Sequence, residues 1–136
     1  MFDNFWGNPL TTAALEQMIQ ETEAGMLDCK VVAEGANAPT TPAGERILQQ
    51  KGIEVLPAIL CNAGGVTVSY FEWVQNKTFQ SWDLKDVDAK LNKHMIGAAG
   101  RTRDARKKYN CDLRTAAYIA ALERLAKAYE VRGIFP

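Results

Sequence analysis

Two short loops hold the residues best suited to binding a ligand, and each follows an apolar run. The first loop follows Cys29 to Ala33 and contains Gly35 and Asn37. Gly35 lets the backbone approach a ligand closely, while the Asn37 amide offers both a donor and an acceptor, which suits a ribose hydroxyl or a carboxamide. Composition alone favours the alternative, in which Asn37 only stabilises a turn.

The second loop, N-A-G-G, follows the apolar run from Ile53 to Cys61 and begins at Asn62. Gly64 and Gly65 leave the start of the next helix bare of side chains, and Ser69 lies on its first turns. Unpaired N–H groups at a helix N-terminus favour an anion, so the expected ligand is a carboxylate. Spacing alone favours the alternative, an ordinary strand-to-helix turn in which Ser69 bonds back to the chain.

The elements around these loops alternate between helix and strand. Apolar spacing predicts a helix from Thr11 to Met26, and the Thr41-Pro42 pair predicts a second helix that ends near Lys51 and Gly52. The two apolar runs that precede the loops are the strands. Such alternation is typical of a parallel sheet with helices packed on it, and it brings both loops to one sheet edge.

The rest of the chain is predicted to be helical. After the N-A-G-G turn, an apolar stripe predicts a long helix from Leu84 to about Tyr109, with Gly97 and Gly100 inside it. Asp112 can cap a last helix, which ends at Arg132-Gly133. The expected fold is therefore α/β, with a short parallel sheet and helices followed by two C-terminal helices.

The charge balance argues against a nucleic-acid partner. Sixteen Lys and Arg residues balance sixteen Asp and Glu residues, and no run of like charge provides a surface for phosphate backbones. No window approaches the apolar length that a membrane span needs, and the first residues lack the cationic start of a signal peptide. We expect neither a nucleic-acid partner nor a membrane.

Other residue types that often carry chemistry predict no site of their own. The three cysteines fit neither a disulfide framework nor a zinc site, so we expect reduced, buried thiols and a cytoplasmic protein. His94 is expected to be exposed and inert, and no metal site is predicted. The sequence has no Ser-His-Asp set and no glycine-rich phosphate loop. Glu34 and Glu72 are expected to be solvated or ion-paired rather than general bases.

Two long motifs carry a family resemblance. They are V-A-E-G-A-N-A-P-T-T-P, from Val32 to Pro42, and N-A-G-G-V-T-V-S-Y-F-E-W, from Asn62 to Trp73. With L-R-T-A-A-Y, from Leu113 to Tyr118, they resemble the C-terminal segment of glutamate dehydrogenases in the glutamate, leucine, phenylalanine and valine dehydrogenase superfamily. The resemblance implies one unit: a leader without a match (1–12), the partial, Rossmann-like second half of a dinucleotide-binding domain (13–77) and a C-terminal helical segment (78–136).

The resemblance also implies roles for the loop residues. Asn37, with Gly35, would contact the nicotinamide-ribose part of NAD or NADP, while Ser69 would bind a substrate carboxylate and Val66 would line the amino-acid pocket. Family members oxidise L-glutamate to 2-oxoglutarate and ammonia by hydride transfer to the nicotinamide. Their acid/base lysine and aspartate belong to an N-terminal domain, so we expect no catalytic residue in this chain and no activity from the chain alone.

Three interpretations of the isolated chain follow from the resemblance. The first is a truncated glutamate dehydrogenase, present as a homo-oligomer or associated with a full-length dehydrogenase, because a missing half-sheet would uncover a strand edge and apolar helix faces. The second is a non-catalytic interaction protein that docks on a full-length dehydrogenase. The third is a gene fragment without function. Departures from the family pattern at Thr12 and Ala58 indicate relaxed constraint.

Overall fold

The computed structural model describes residues 19–133. By their contacts these residues form two compact units, one from 19–32 and 38–54 and the other from 33–37 and 55–133. The division into leader, partial nucleotide-binding domain and helical segment stays a prediction. The elements in chain order are α1 (Glu21–Met26), β1 (Val31–Ala33), α2 (Pro42–Gln50), β2 (Glu54–Leu56), α3 (Ala58–Cys61), α4 (Ala63–Thr78), α5 (Leu84–Tyr109) and α6 (Leu113–Arg132).

The predicted parallel sheet is confirmed in the described residues, as a pair of three-residue strands. β1 and β2 are neighbours in one parallel sheet. The Glu54 N–H donates to the Lys30 carbonyl over 3.0 Å, and the Glu34 N–H donates to the Leu56 carbonyl over 3.1 Å. The strand expected from Cys29 begins only at Val31. With helices before, between and after the two strands in chain order, this is the α/β alternation that the sequence predicted.

The strand predicted from Ile53 to Cys61 is wrong in its second half. β2 ends at Leu56, the fully buried Pro57 follows, and Ala58 to Cys61 form α3. An apolar run without a period does not distinguish a strand from a short buried helix, which explains the error. The predicted N-A-G-G strand-to-helix turn is also wrong, because Asn62 joins two helices and the next three residues form the first turn of α4.

The first predicted helix, Thr11 to Met26, is only partly tested, since residues 11–18 lie outside the described residues. Within the described part it is wrong at Ile19 and Gln20, because helix α1 begins at Glu21. Ile19 forms a parallel bridge with Thr40, and its N–H donates to the Pro39 carbonyl over 2.7 Å. These bonds occupy the backbone groups that a helix at Ile19 would need.

Helix α2 has the predicted ends. The Thr41 hydroxyl accepts from the Gly44 N–H over 3.0 Å, Pro42 is the first helical residue, and Gly52 follows the helix with a φ of 71°. The backbone of Ile19 passes so close to Gly44 that a side chain does not fit at position 44. A Cβ at this position would lie 2.6 Å from the carbonyl oxygen of Ile19. A glycine that costs helix propensity is therefore required by packing.

The two long helices of the second unit are confirmed at their predicted bounds. Helix α5 is uninterrupted at Gly97 and Gly100. The Asp112 carboxylate caps α6 by accepting from the Thr115 N–H over 2.8 Å. The two helices pack against each other through small side chains, which lets them approach closely. Their buried residues are Thr102 and Ala105 of α5 and Ala116 and Ala117 of α6.

The cysteines and the histidine differ in outcome. The expectation of buried thiols is wrong, because Cys29 and Cys61 are exposed and Cys111 is half-buried, although all three are free. His94 is exposed as predicted, and its ring lies edge-on to Phe71 at 5.5 Å between centroids.

Among residues 19–133, no group of three or more potential ligand side chains could hold a metal ion. None of the described helices is long and apolar enough to cross a membrane.

The close approach at Gly44 gives a stability prediction. We expect Gly44→Ala to lower the free energy of unfolding by about 1–3 kcal/mol, because the new methyl group would clash with a backbone carbonyl that cannot turn away. The control is Gly100→Ala, where a Cβ would meet no atom within 4 Å. It should raise stability by up to about 1 kcal/mol through helix propensity. Equal urea denaturation midpoints for the two variants would contradict this explanation.

The Asp112 cap predicts a pH dependence. Partial burial raises the pKa of Asp112, but the N–H and hydroxyl of Thr115 stabilise the carboxylate more, so the net pKa lies below its ordinary value of 3.8. A group with a lowered folded-state pKa contributes fully above its unfolded-state pKa, and this contribution is lost as pH falls through the folded-state pKa. The free energies of unfolding of wild type and Asp112→Asn, measured by urea denaturation at a series of acidic pH values, should therefore converge as pH falls. A difference in free energy of unfolding that stays constant over these pH values would contradict this role of the Asp112 carboxylate.

Candidate functional site

The structure brings Asn37 of the first loop against Asn62, which joins α3 to α4. The Asn62 Nδ2 donates to the Asn37 Oδ1 over 2.7 Å. Asn37 is exposed and Asn62 is half-buried. This bond uses one oxygen and one N–H, which leaves the Asn37 amide group as a donor and the Asn62 carbonyl as an acceptor for a ligand. The sequence did not single out Asn62 as a binding residue, although its place two positions before the glycine pair was a usable signal.

A buried carboxylate lies at the start of the first loop. The Glu34 side chain has no exposed surface, its Oε2 accepts from the Ala58 N–H over 2.9 Å, and its Oε1 accepts from the Arg114 guanidinium over 2.7 Å. Of the two predicted environments for Glu34, solvated or ion-paired, the structure shows the ion pair. The carboxylate thereby joins the end of β1, the start of α3 and the first turn of α6.

The other two predicted site residues continue from Asn62 along one face of α4. Asn62, Val66 and Ser69 are spaced by four and then three residues, which places them in line on a helix surface. At 1.5 Å per residue, the line from Asn62 to Ser69 is about 10 Å long. Val66 is 71% exposed. An amide, an apolar side chain and a hydroxyl thus follow one another on a surface open to solvent.

The Ser69 hydroxyl bonds back to its own helix, which is the alternative that spacing alone favoured. It donates to the Gly65 carbonyl over 3.2 Å, from the second turn of α4 rather than the first. An exposed hydroxyl that bonds to its own helix can turn to donate to an anion instead. A Cβ at Gly65 would meet no atom within 4 Å, so the helix surface beside Ser69 is open, as the sequence predicted.

The first loop also has room for a ligand. Gly35 is exposed, and a Cβ there would meet no atom within 4 Å, so packing among the described residues does not require a glycine. Ala38, directly after Asn37, has a φ of 48°. A non-glycine residue in the left-handed region costs about 1–2 kcal/mol, which is typical of backbone next to functional sites.

Comparison with known proteins gives matches over most of the chain. A sequence model described as Glutamate/Leucine/Phenylalanine/Valine dehydrogenase matches residues 8–133. A glutamate dehydrogenase of Thermotoga maritima is 52% identical over 127 residues, which is 93% of this chain and 30% of that protein. An NADP-specific glutamate dehydrogenase of Synechocystis is 45% identical over 124 residues, 91% of this chain and 29% of that protein.

Solved structures agree with the sequence matches. Glutamate dehydrogenase from Peptoniphilus asaccharolyticus matches with a TM-score of 0.81 and 38% identity, covering 88% of this chain and 30% of that one. The hetero-hexameric glutamate dehydrogenase from Thermus thermophilus, in its leucine-bound form, matches with a TM-score of 0.80 and 31% identity, covering 86% of this chain and 28% of that one.

The chain therefore spans about 30% of the length of the relatives that it matches. This confirms that the resemblance is to a segment of those enzymes. Because the sequence model and the shared fold both extend over most of its residues, the chain belongs to the Glutamate/Leucine/Phenylalanine/Valine dehydrogenase family.

Proposed function

We propose that this chain is the part of an NAD- or NADP-dependent glutamate dehydrogenase that holds the nicotinamide-ribose end of the cofactor beside the substrate, and that it is inactive alone. The observation that carries the proposal is the 2.7 Å bond between Asn37 and Asn62. It links the loop after β1 to the head of the helix face that carries Val66 and Ser69. The reaction in this proposal, the oxidation of L-glutamate, is inferred from membership of the family.

The cofactor end of the site is built from amides and open backbone. Asn37 and Asn62 together offer a donor and an acceptor, which fit a carboxamide or the hydroxyls of a ribose. The open backbone at Gly35 allows a flat ring or a sugar to approach closely. When bound, the cofactor would supply a nicotinamide ring to accept the hydride that the α-carbon of L-glutamate loses; with loss of a proton from the amino group this would leave an imino acid, which water would hydrolyse to 2-oxoglutarate and ammonia.

The substrate end of the site lies further along α4. Ser69, in the second turn of α4, would donate its hydroxyl hydrogen to a substrate carboxylate. Val66, between the two ends, would contact the aliphatic part of glutamate. Neither residue can transfer the protons of the reaction, so the acid/base lysine and aspartate of the family must come from outside this segment.

The setting of the chain follows from the same proposal. Its three free cysteines fit a reducing compartment, so we place it in the cytoplasm. A Thermus thermophilus relative is described as hetero-hexameric. We propose that this chain likewise works in an oligomer, with other copies or with a longer dehydrogenase chain.

A complementation assay tests the proposed function. The chain would be mixed with a separately expressed N-terminal portion of the Thermotoga maritima enzyme. This portion would end before the segment that matches the present chain. We expect glutamate-dependent reduction of NAD or NADP by the mixture and by neither part alone, since binding and proton-transfer groups lie on different parts. Formation of reduced nicotinamide is followed by absorbance.

Matched asparagine variants show whether the proposed site is responsible. Asn37→Ala should reduce the reconstituted activity about tenfold or more, because it removes hydrogen bonds to the cofactor. Asn92→Ala changes an exposed asparagine on α5 and should have no effect. If the mixture stays inactive although the two parts co-elute, the proposed function is wrong. If Asn37→Ala and Asn92→Ala give the same reconstituted activity, the assignment of Asn37 to cofactor binding is wrong.

One observation favours the second candidate function, a non-catalytic interaction protein. Helix α6 carries an apolar stripe at the spacing of a helix-pairing surface, and its members are between 52% and 60% exposed. Such a surface on a helix of a soluble protein indicates a contact with another protein. The stripe consists of Tyr118, Leu122, Leu125 and Tyr129.

Co-elution with a full-length dehydrogenase tests this candidate. We expect the wild-type chain to co-elute with full-length Thermotoga maritima glutamate dehydrogenase in size-exclusion chromatography with light scattering. Replacing Leu122 and Leu125 with Asp should abolish co-elution by placing charges in the contact. The control, Val131→Asp, introduces a charge of the same sign at an exposed apolar residue outside the stripe. Elution of the wild-type chain alone would rule out docking.

A further inference from the structure

Two side-chain bonds connect the loop after β1 to the segment that contains α3. The lower bond runs from the Ala58 N–H to the Glu34 carboxylate over 2.9 Å, and the upper bond runs from Asn62 to Asn37 over 2.7 Å. The two bonded positions are three residues apart in sequence on the loop and four residues apart on the helical side. The backbone and the two bonds therefore form a closed ring, in which the position of the lower bond constrains the upper one.

Arg114 fastens this ring to α6. Its guanidinium donates to the Glu34 Oε1 over 2.7 Å, across a sequence separation of 80 residues. The Asp112 cap sets the start of α6 and so holds the backbone of Arg114 in place. Because the Glu34 side chain is fully buried, loss of its contact with the guanidinium or with the Ala58 N–H would destabilise its charge.

The chemistry of the bonds requires a carboxylate at position 34. Two donors, the Ala58 N–H and the Arg114 guanidinium, point at the two oxygens of Glu34. A glutamine of nearly the same volume has a single oxygen, so its amide group would face one of these donors with a second donor. One of the two contacts must then break, although the packing volume is unchanged.

We propose that Glu34 and Arg114 are positioning residues, which hold Asn37 in bonding distance of Asn62 and thereby set the orientation of the cofactor-binding amides. That amides at this place receive a nicotinamide nucleotide rests on the proposed function. The ring and its anchor do not, since they are formed by this chain alone.

The test follows the upper bond directly in the full chain. In ¹⁵N-edited spectra of wild type, we expect one Nδ2 proton of Asn62, assigned with Asn62→Ser, to be shifted and to exchange slowly with solvent. Glu34→Gln should remove this signature at a temperature where the far-ultraviolet circular dichroism is unchanged. The matched control is Glu123→Gln, which breaks an exposed ion pair with Lys108. It should leave the signature intact.

Titration with NAD on the same samples separates the positioning role from the proposed function. Glu34→Gln should weaken NAD binding about tenfold or more relative to wild type and to Glu123→Gln. If the wild-type chain shows the amide signature but responds to neither NAD nor NADP, the proposed function loses its support while the positioning role stands. If Glu34→Gln keeps both the signature and the affinity and is only less stable, Glu34 is merely structural and the inference is overturned.

A second variant decides the question if Glu34→Gln does not fold. Arg114→Lys keeps a cation beside the buried carboxylate but loses the planar fork that fixes its direction. We expect this variant to fold, with a faster-exchanging Asn62 amide and weaker NAD binding. A signature and an affinity equal to those of wild type would show that the Arg114 geometry does not position the amides.

Discussion

The buried carboxylate of Glu34 is the interaction on which the second unit depends. A charge without any exposed surface is stable only when charged or polar partners surround it, and here they include a backbone N–H of α3 and a guanidinium of α6. Removal of one partner of a buried ion pair typically costs about 3–5 kcal/mol, and here the carboxylate is fully buried while the Arg114 side chain is 23% exposed. The strand end, the short helix and the last helix are thus held together by one side chain, and the candidate binding loop begins at the residue after it.

The location of this carboxylate explains how exposed loops can carry an ordered site. Asn37 and Asn62 are accessible to solvent, and a single hydrogen bond between exposed amides contributes little to stability because water competes for it. The neighbouring Glu34 contact is shielded from water and therefore limits how far the two segments can separate. From Asn62 the rigid geometry of α4 then sets the positions of Val66 and Ser69. The order of the site thus originates in the buried residues beneath it.

The sequence predicted the parts of this fold whose signals are local. The caps at Thr41 and Asp112 and the bounds of α5 and α6 depend on residues a few positions apart, so pattern and capping chemistry were sufficient. The split at Pro57, the close approach at Gly44 and the partner of Asn37 depend on contacts between distant segments. The two loops were found from residue types, but the bond that joins them was visible only in the structure.

The surfaces of the chain match a segment that supplies one side of a binding cleft. Under the proposed function, Asn37, Asn62 and Ser69 would offer donors and acceptors to a ligand, while the acid/base lysine and aspartate of the family would come from outside this segment. The same unit leaves an apolar stripe on α6 exposed, from Tyr118 to Tyr129, where a self-sufficient domain would bury it. Both features have one explanation, since a partner that covers such surfaces could also provide the missing acid/base groups. The relatives, of which this chain spans about 30%, contain enough additional sequence to do so.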